Sequence, residues 1–94
     1  MLESTFKTKL VKELKDMLPG CIVLHLSERQ GYPDLLILYE DTWAALEGKQ
    51  FGKASRRPNQ EYYINKMDDM SFASFIYPEN KEEVLYDLQQ ALRP

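Results

Sequence analysis

Four side chains in this sequence carry the groups needed for metal-assisted hydrolysis: Glu3, Asp34, Glu47 and Lys49. Alternate residues of an extended strand share a face, so Trp43, Ala45, Glu47 and Lys49 point one way while Ala44, Leu46 and Gly48 point the other. That puts an acid and an amine side by side. Asp34 follows Pro33 and opens the preceding strand, and in a hairpin the start of one strand lies beside the end of the next. Asp34 and Glu47 are therefore expected to be neighbours. Glu3 is expected to join them from the first helix. In steps of about 100° per residue, Phe6, Leu10, Leu14 and Met17 fall within about 60° of Glu3, which thus lies in the apolar face and points inward.

Carboxylates gathered in this way repel one another, and one takes up a proton unless a cation intervenes. Hard oxygen ligands with open positions suit Mg²⁺ or Mn²⁺, which keep waters and accept phosphate oxygens as further ligands. A cation so held polarises a phosphodiester and lowers the pKa of bound water. Lys49 would orient the attacking water or stabilise the developing charge. A plainer reading also fits each residue alone: Asp34 caps a turn, and Glu47 and Lys49 form an exposed strand ion pair.

The elements that must position these groups can be read from hydrophobic periodicity. Glu3 to Leu18 reads as an amphipathic helix stopped by Pro19-Gly20. Cys21 to Leu26, Asp34 to Glu40 and Trp43 to Lys49 read as strands, with the turn of a hairpin at Glu40-Asp41-Thr42. The Asp34–Glu40 strand is apolar on both faces and is expected to be central and covered on both sides. Pro58 suits the first turn of a second helix running to about Met70. Ser71 to Tyr77 is a fourth strand, and Pro78 to Leu92 a last helix whose buried stripe is Val84, Leu85, Leu88 and Leu92. The expected fold is α/β, a mixed four-stranded sheet flanked by helices, in one domain spanning 1–94.

The chain has 94 residues, 44% hydrophobic and 29% charged, the balance of a globular domain and too apolar for disorder. Its single cysteine, Cys21, forbids an internal disulfide or a cysteine-rich zinc site. No apolar run is long enough to span a bilayer, and no long apolar segment follows Met1, so the expected compartment is the reducing cytoplasm. The net charge of −3 is unevenly spread. Between Gly48 and Gln60 lie Lys49, Lys53, Arg56 and Arg57 with no acid, leaving 8 of the 12 basic residues against all 15 acidic ones elsewhere. Such a segment either attracts phosphate locally or is a solvated loop. Gln60 and Tyr63, one helical turn apart, are placed to approach the same site, and free N–H groups at the helix start suit phosphate.

Pro33-Asp34, twelve residues, then Glu47-Gly48-Lys49 resembles the signature of the PD-(D/E)xK nucleases, and the α-β-β-β-α-β order resembles their restriction-endonuclease-like core. Gly31-Tyr32-Pro33-Asp34-Leu35-Leu36, Ala45-Leu46-Glu47-Gly48-Lys49 and Arg57-Pro58-Asn59-Gln60 ahead of Tyr63 resemble the VRR-NUC branch, in particular its small stand-alone phage and prophage members. The resemblance implies that Asp34 and Glu47 are Mg²⁺ or Mn²⁺ ligands, with the Gly48 carbonyl as a further ligand. It makes Lys49 the catalytic lysine, Glu3 the first-helix acid and Gln60 the second-helix residue near the site. It also implies a homodimeric endonuclease cutting branched DNA such as four-way (Holliday) junctions, in a bacterial or phage-infected cell. Lys53, Arg56, Arg57 and Tyr63 are the expected nucleic-acid contacts. One departure stands out: the middle position of the ExK triplet is usually apolar or β-branched in this branch, and glycine there weakens a strand interior.

Other residues read as structural. His25 is a lone strand histidine without a second ligand at metal spacing, and Cys21 reads as a small buried hydrophobe. Trp43, Phe72, Phe75 and Tyr77 read as core or dimer surface, Lys7 as snorkelling to solvent, and Glu13 as solvated. Two functions compete with the nuclease: a non-catalytic nucleic-acid-binding module of the same fold, and an interaction protein whose acidic surface takes a basic partner.

Overall fold

The structure is a computed structural model describing residues 4–26, 31–54 and 56–94. Its elements run α1 (Ser4–Met17), β1 (Ile22–His25), β2 (Leu35–Tyr39), β3 (Thr42–Gly48), α2 (Pro58–Met70), β4 (Phe72–Ile76) and α3 (Lys81–Leu92). The sheet order is β1-β2-β3-β4, antiparallel through the first three strands and parallel between β3 and β4. The parallel pair follows from connectivity: β4 is reached only after the chain crosses the sheet through α2. The α/β class and the mixed four-stranded sheet agree with the expectation from sequence.

Strand alternation divides the apolar residues between two layers. On one face, Leu10 and Leu14 of α1, Leu35 and Ile37 of β2, Ala44 and Leu46 of β3, Ile76, and Val84, Leu85, Leu88 and Leu92 of α3 form the main core. On the other face, Ala45, Ala73 and Phe75 meet Ile64 of α2, with Leu36, Trp43 and Met67 packed against them.

The second face departs from expectation. β2 is central, but only one of its faces is fully covered. Leu36 and Leu38 are half-buried, and Ile22 and Leu24 of β1 are exposed on the same side, because α2 packs over β3 and β4. An apolar run on both faces thus reports a central strand here without a helix over each side. The last helix begins at Lys81 rather than Pro78. Asn80 is the reason: its Oδ1 accepts the Tyr77 N–H at 2.8 Å and its Nδ2 donates to the Phe75 carbonyl at 3.2 Å, holding residues 78–80 in a turn at the end of β4.

Glu13 is not merely solvated. Its carboxylate meets Lys81 Nζ at 2.8 Å, tying α1 to the start of α3. Cys21 is half-buried rather than buried. Among the described residues, no helix is long and apolar enough to cross a membrane.

Candidate active site

Three elements converge at one end of the sheet. The β2–β3 register pairs Leu35 with Leu46, so one step further places Asp34 opposite Glu47, both on the side of the sheet that faces α2. In parallel register, Glu47 also pairs with Phe75 of β4. α2 begins at Pro58, and Gln60 in its first turn is buried over the same end.

Asp34, Glu47, Lys49 and Gln60 are 4, 2, 5 and 9% exposed. These values dispose of the exposed ion pair: the amine and both carboxylates lie in the interior, where ionised groups persist only with good partners. Asp34 Oδ2 accepts the Gly48 N–H at 2.9 Å. Gln60 joins the other two. Its Nε2 donates to Glu47 Oε2 at 3.0 Å, and its Oε1 accepts Lys49 Nζ at 2.7 Å and the Arg57 N–H at 3.1 Å. Because a carboxylate only accepts and an ammonium only donates, these partners fix which way the amide faces. The Arg57 bond also closes the first turn of α2, so the helix start is anchored by the same side chain that spans the site.

Gly48 is well held despite the flexibility of glycine. Its N–H is bound to Asp34, and the next amide, Lys49 N–H, donates to the Ile76 carbonyl at 2.9 Å. The flanking strands thus position this peptide from both sides.

Two residues support the site in roles that the sequence did not assign to them. Gly31, at φ +80°, lies so close to α2 that an added Cβ would stand 2.7 Å from Asn59 Cβ and 2.9 Å from the Gln60 nitrogen. Only glycine allows the segment leading to Asp34 to pack on the helix that carries Gln60. Its visible signal was a glycine at the end of a polar connection. Phe75 is the second. Lys49 Nζ lies 5.9 Å and Arg56 Cζ 4.1 Å from its ring centroid, both within cation–π reach. The alternation that put Glu47 inward gave no sign of which β4 residue would lie beside it.

The remaining expected residues divide. Lys53, Arg56 and Arg57 are exposed, as a phosphate-contacting segment requires, with Arg56 stacked on Phe75 beside Lys49. Tyr63 does not join the hydrogen-bonded group around Gln60; its ring instead meets Tyr32 and Tyr62 edge to face. Glu3 lies outside the described residues. A cavity of about 390 Å³, lined by Arg56, Glu61, Ile64, Asn65, Ser74 and Phe75 among others, opens beside the Arg56–Phe75 stack and includes neither carboxylate of the site.

No family model, no curated protein and no solved structure matches this chain. The arrangement must be read from its own chemistry. Among the described residues no group of three or more His, Cys, Asp or Glu is assembled for a metal ion. Asp34 and Glu47 form a two-carboxylate set of hard oxygens, which fits a cation that fills its remaining positions with water and substrate oxygens, and does not fit a closed structural zinc site.

Proposed function

We propose that the chain is a metal-dependent DNA endonuclease built on a restriction-endonuclease-like core, structure-selective for branched DNA and working as a homodimer. One observation carries this reading: two buried carboxylates and a buried ammonium group share one end of the sheet, at the foot of an exposed basic segment. Burying three ionisable groups is costly, and a purely structural network at this position has cheaper apolar solutions.

In this reading Asp34 and Glu47 would hold Mg²⁺ or Mn²⁺, assisted by the Gly48 carbonyl. The bound ion would supply Lewis acidity toward a phosphate oxygen and a more acidic water. The chain's own part is placement. Gly48 N–H holds one Asp34 oxygen and Gln60 holds one Glu47 oxygen, which fixes the orientation of both carboxylates. Gln60 also holds the Lys49 ammonium in place, where it can stabilise negative charge on the reacting phosphate. Lys53, Arg56 and Arg57 supply the salt-sensitive attraction for the backbone.

The homodimer draws support from the uncovered flank of the sheet. Ile22 and Leu24 are exposed on edge strand β1, and a second copy related by a two-fold axis would bury them against their equivalents. Sedimentation velocity should report a dimer that Ile22→Lys with Leu24→Lys dissociates.

The catalytic reading is tested with labelled linear, flapped and four-way DNA in Mg²⁺ and Mn²⁺. Cleavage is expected in either metal, lost in Glu47→Gln and Lys49→Met, with binding in Ca²⁺ retained. Absence of cleavage on all three substrates in both metals would overturn it. A second reading, a non-catalytic nucleic-acid-binding module, draws on the extent to which Asp34, Glu47 and Lys49 are already engaged by Gly48 and Gln60. It predicts binding that depends on salt but not on Mn²⁺, and no carboxylate-dependent heat when Mn²⁺ is titrated by calorimetry.

A further inference from the structure

Beside the site lies an aromatic cluster that the hydrolytic chemistry does not use. The Tyr32 and Tyr63 ring centroids are 5.0 Å apart at 74°, and those of Tyr62 and Tyr63 are 5.3 Å apart at 77°. Tyr32 is 41% exposed and Tyr62 60% exposed, while Tyr63 between them is half-buried. Three phenol rings thus form a continuous patch whose outer two members face solvent.

The place of this patch is set by features already described. Tyr32 stands between Gly31, which packs against Asn59 and Gln60, and Pro33-Asp34, which leads into the carboxylate site. Tyr63 is one helical turn beyond Gln60. In steps of about 100°, Asn59, Tyr62, Tyr63 and Lys66 fall within about 100° of arc on α2, away from the buried face of Gln60, Ile64 and Met67. Glu61 points elsewhere, toward the cavity beside Arg56 and Phe75. The stretch from Arg57 to Lys66 therefore presents the exposed Tyr62 beside the half-buried Tyr63, with an exposed cation at either end. Partial burial pushes the Tyr63 phenol above its ordinary range and Tyr32 adds to the shift, so this central ring is uncharged at neutral pH.

We infer that Tyr32, Tyr62 and Tyr63 form a stacking platform for unpaired bases, so that the preferred ligand is nucleic acid with a single-stranded stretch entering the Asp34–Glu47 site. Solvent-exposed rings with cationic side chains along the same helix suit the flat bases and phosphates of a single strand. A blunt duplex keeps its bases stacked on one another and offers the rings nothing beyond its backbone. The inference deepens the reading of the site as one that acts on DNA, because it names what makes branched or flapped DNA preferable: the bases freed at the branch.

The test is fluorescence anisotropy in EDTA, where no metal-dependent cleavage occurs, with a labelled mixed-sequence single strand and the same strand in a blunt duplex. The wild-type protein should bind the single strand about tenfold tighter than the duplex. Tyr32→Leu with Tyr62→Leu should remove that preference, weakening single-strand binding about tenfold and leaving duplex binding nearly unchanged. The Phe replacements at both positions, which keep the rings, should restore it. Tyr62→Leu alone, at the most exposed ring, gives the same direction should the double variant fold poorly. Equal affinity of the wild type for both ligands, or indifference to the Leu replacements, overturns the platform. The outcomes separate it from the catalytic reading: ring-dependent binding without cleavage leaves the platform standing and the nuclease fallen. Cleavage with ring-independent binding does the reverse, and no binding to either ligand overturns the platform while the catalytic reading is decided by the cleavage assay in Mg²⁺ and Mn²⁺.

Discussion

The side-chain amide of Gln60 reaches Glu47 Oε2 across 3.0 Å, joining the first turn of α2 to the last residues of β3 at a point where both side chains are buried. Through its other end the same amide holds Lys49 at 2.7 Å. A near-isosteric Gln60→Met replacement keeps the volume and removes both bonds to charged groups. Stability in urea titration should fall by about 1–3 kcal/mol. If the site hydrolyses DNA, Gln60 is a positioning residue: kcat should drop about tenfold or more, with little change in DNA affinity measured in Ca²⁺.

Gly31 and Gly20 give a matched pair. Both have positive φ, +80° and +88°, but a Cβ at Gly20 meets nothing within 4 Å, whereas at Gly31 it meets α2 backbone at 2.9 Å. Gly20→Ala should cost only the left-handed backbone penalty, about 1–2 kcal/mol. Gly31→Ala adds displacement of the helix start, another 1–3 kcal/mol or about that, and should broaden or shift the backbone amide resonance of Gln60 in NMR spectra. Equal destabilisation by the two replacements would show that the Gly31 contact is slack.

The β2–β3 hairpin contains a correctable strain. Tyr39 pairs with Thr42, leaving Glu40 and Asp41 as the loop, and Glu40 has φ +54°. Tight two-residue hairpin loops favour Asn, Asp or Gly at such positions. Glu40→Asn should raise the melting temperature by a few degrees, equivalent to about 0.5–1 kcal/mol, and should leave the amide resonances around Glu47 unmoved, since this turn lies at the opposite end of β3.

Cys21 gives a pH test. Desolvation by burial pushes its thiol up, against a smaller opposing effect of Lys15. The folded state therefore holds the proton more tightly than the unfolded chain. Stability from this group is complete below the unfolded thiol's pKa of about 8.5 and declines as pH rises from there. Alkylation by iodoacetamide should be slow at pH 7 relative to the urea-unfolded chain, and Cys21→Ala should flatten the alkaline loss of stability.

How much of this was legible in the sequence depended on whether a pattern or a packing event decided it. The element order, the inward side of Glu47 and the neighbourhood of Asp34 and Glu47 all follow from strand alternation and a short hairpin, which are local. The partner that spans Glu47 and Lys49 is less local, because Gln60 reaches them only once α2 lies across the sheet. The Glu13–Lys81 pair joins residues far apart in the chain and has no local signature. The half-open face over β1 and β2 was missed for a similar reason: an apolar strand says that a side is water-shy, not whether the helix available is wide enough to cover it. Tyr63 turned toward Tyr32 because Gly31 brings the Tyr32 loop onto α2, a contact visible only in three dimensions.

The order of strand pairing also sets a timetable. β1, β2 and β3 join as a meander of successive neighbours, whereas β4 reaches β3 only after the whole of α2 has been traversed. Short-range pairings close first because their loops cost less entropy. A chain emerging from the ribosome can bring Asp34 against the Gly48 amide while Gln60 and the Phe75 ring are still missing. During refolding, pulse-labelled hydrogen exchange should protect the Ile37 and Ala44 amides before that of Lys49, whose acceptor is on Ile76. The acidic half of the site is then assembled early and its amine is locked in last, so an unfinished molecule carries its paired carboxylates before the Gln60 amide and the Lys49 amine that partner them have arrived.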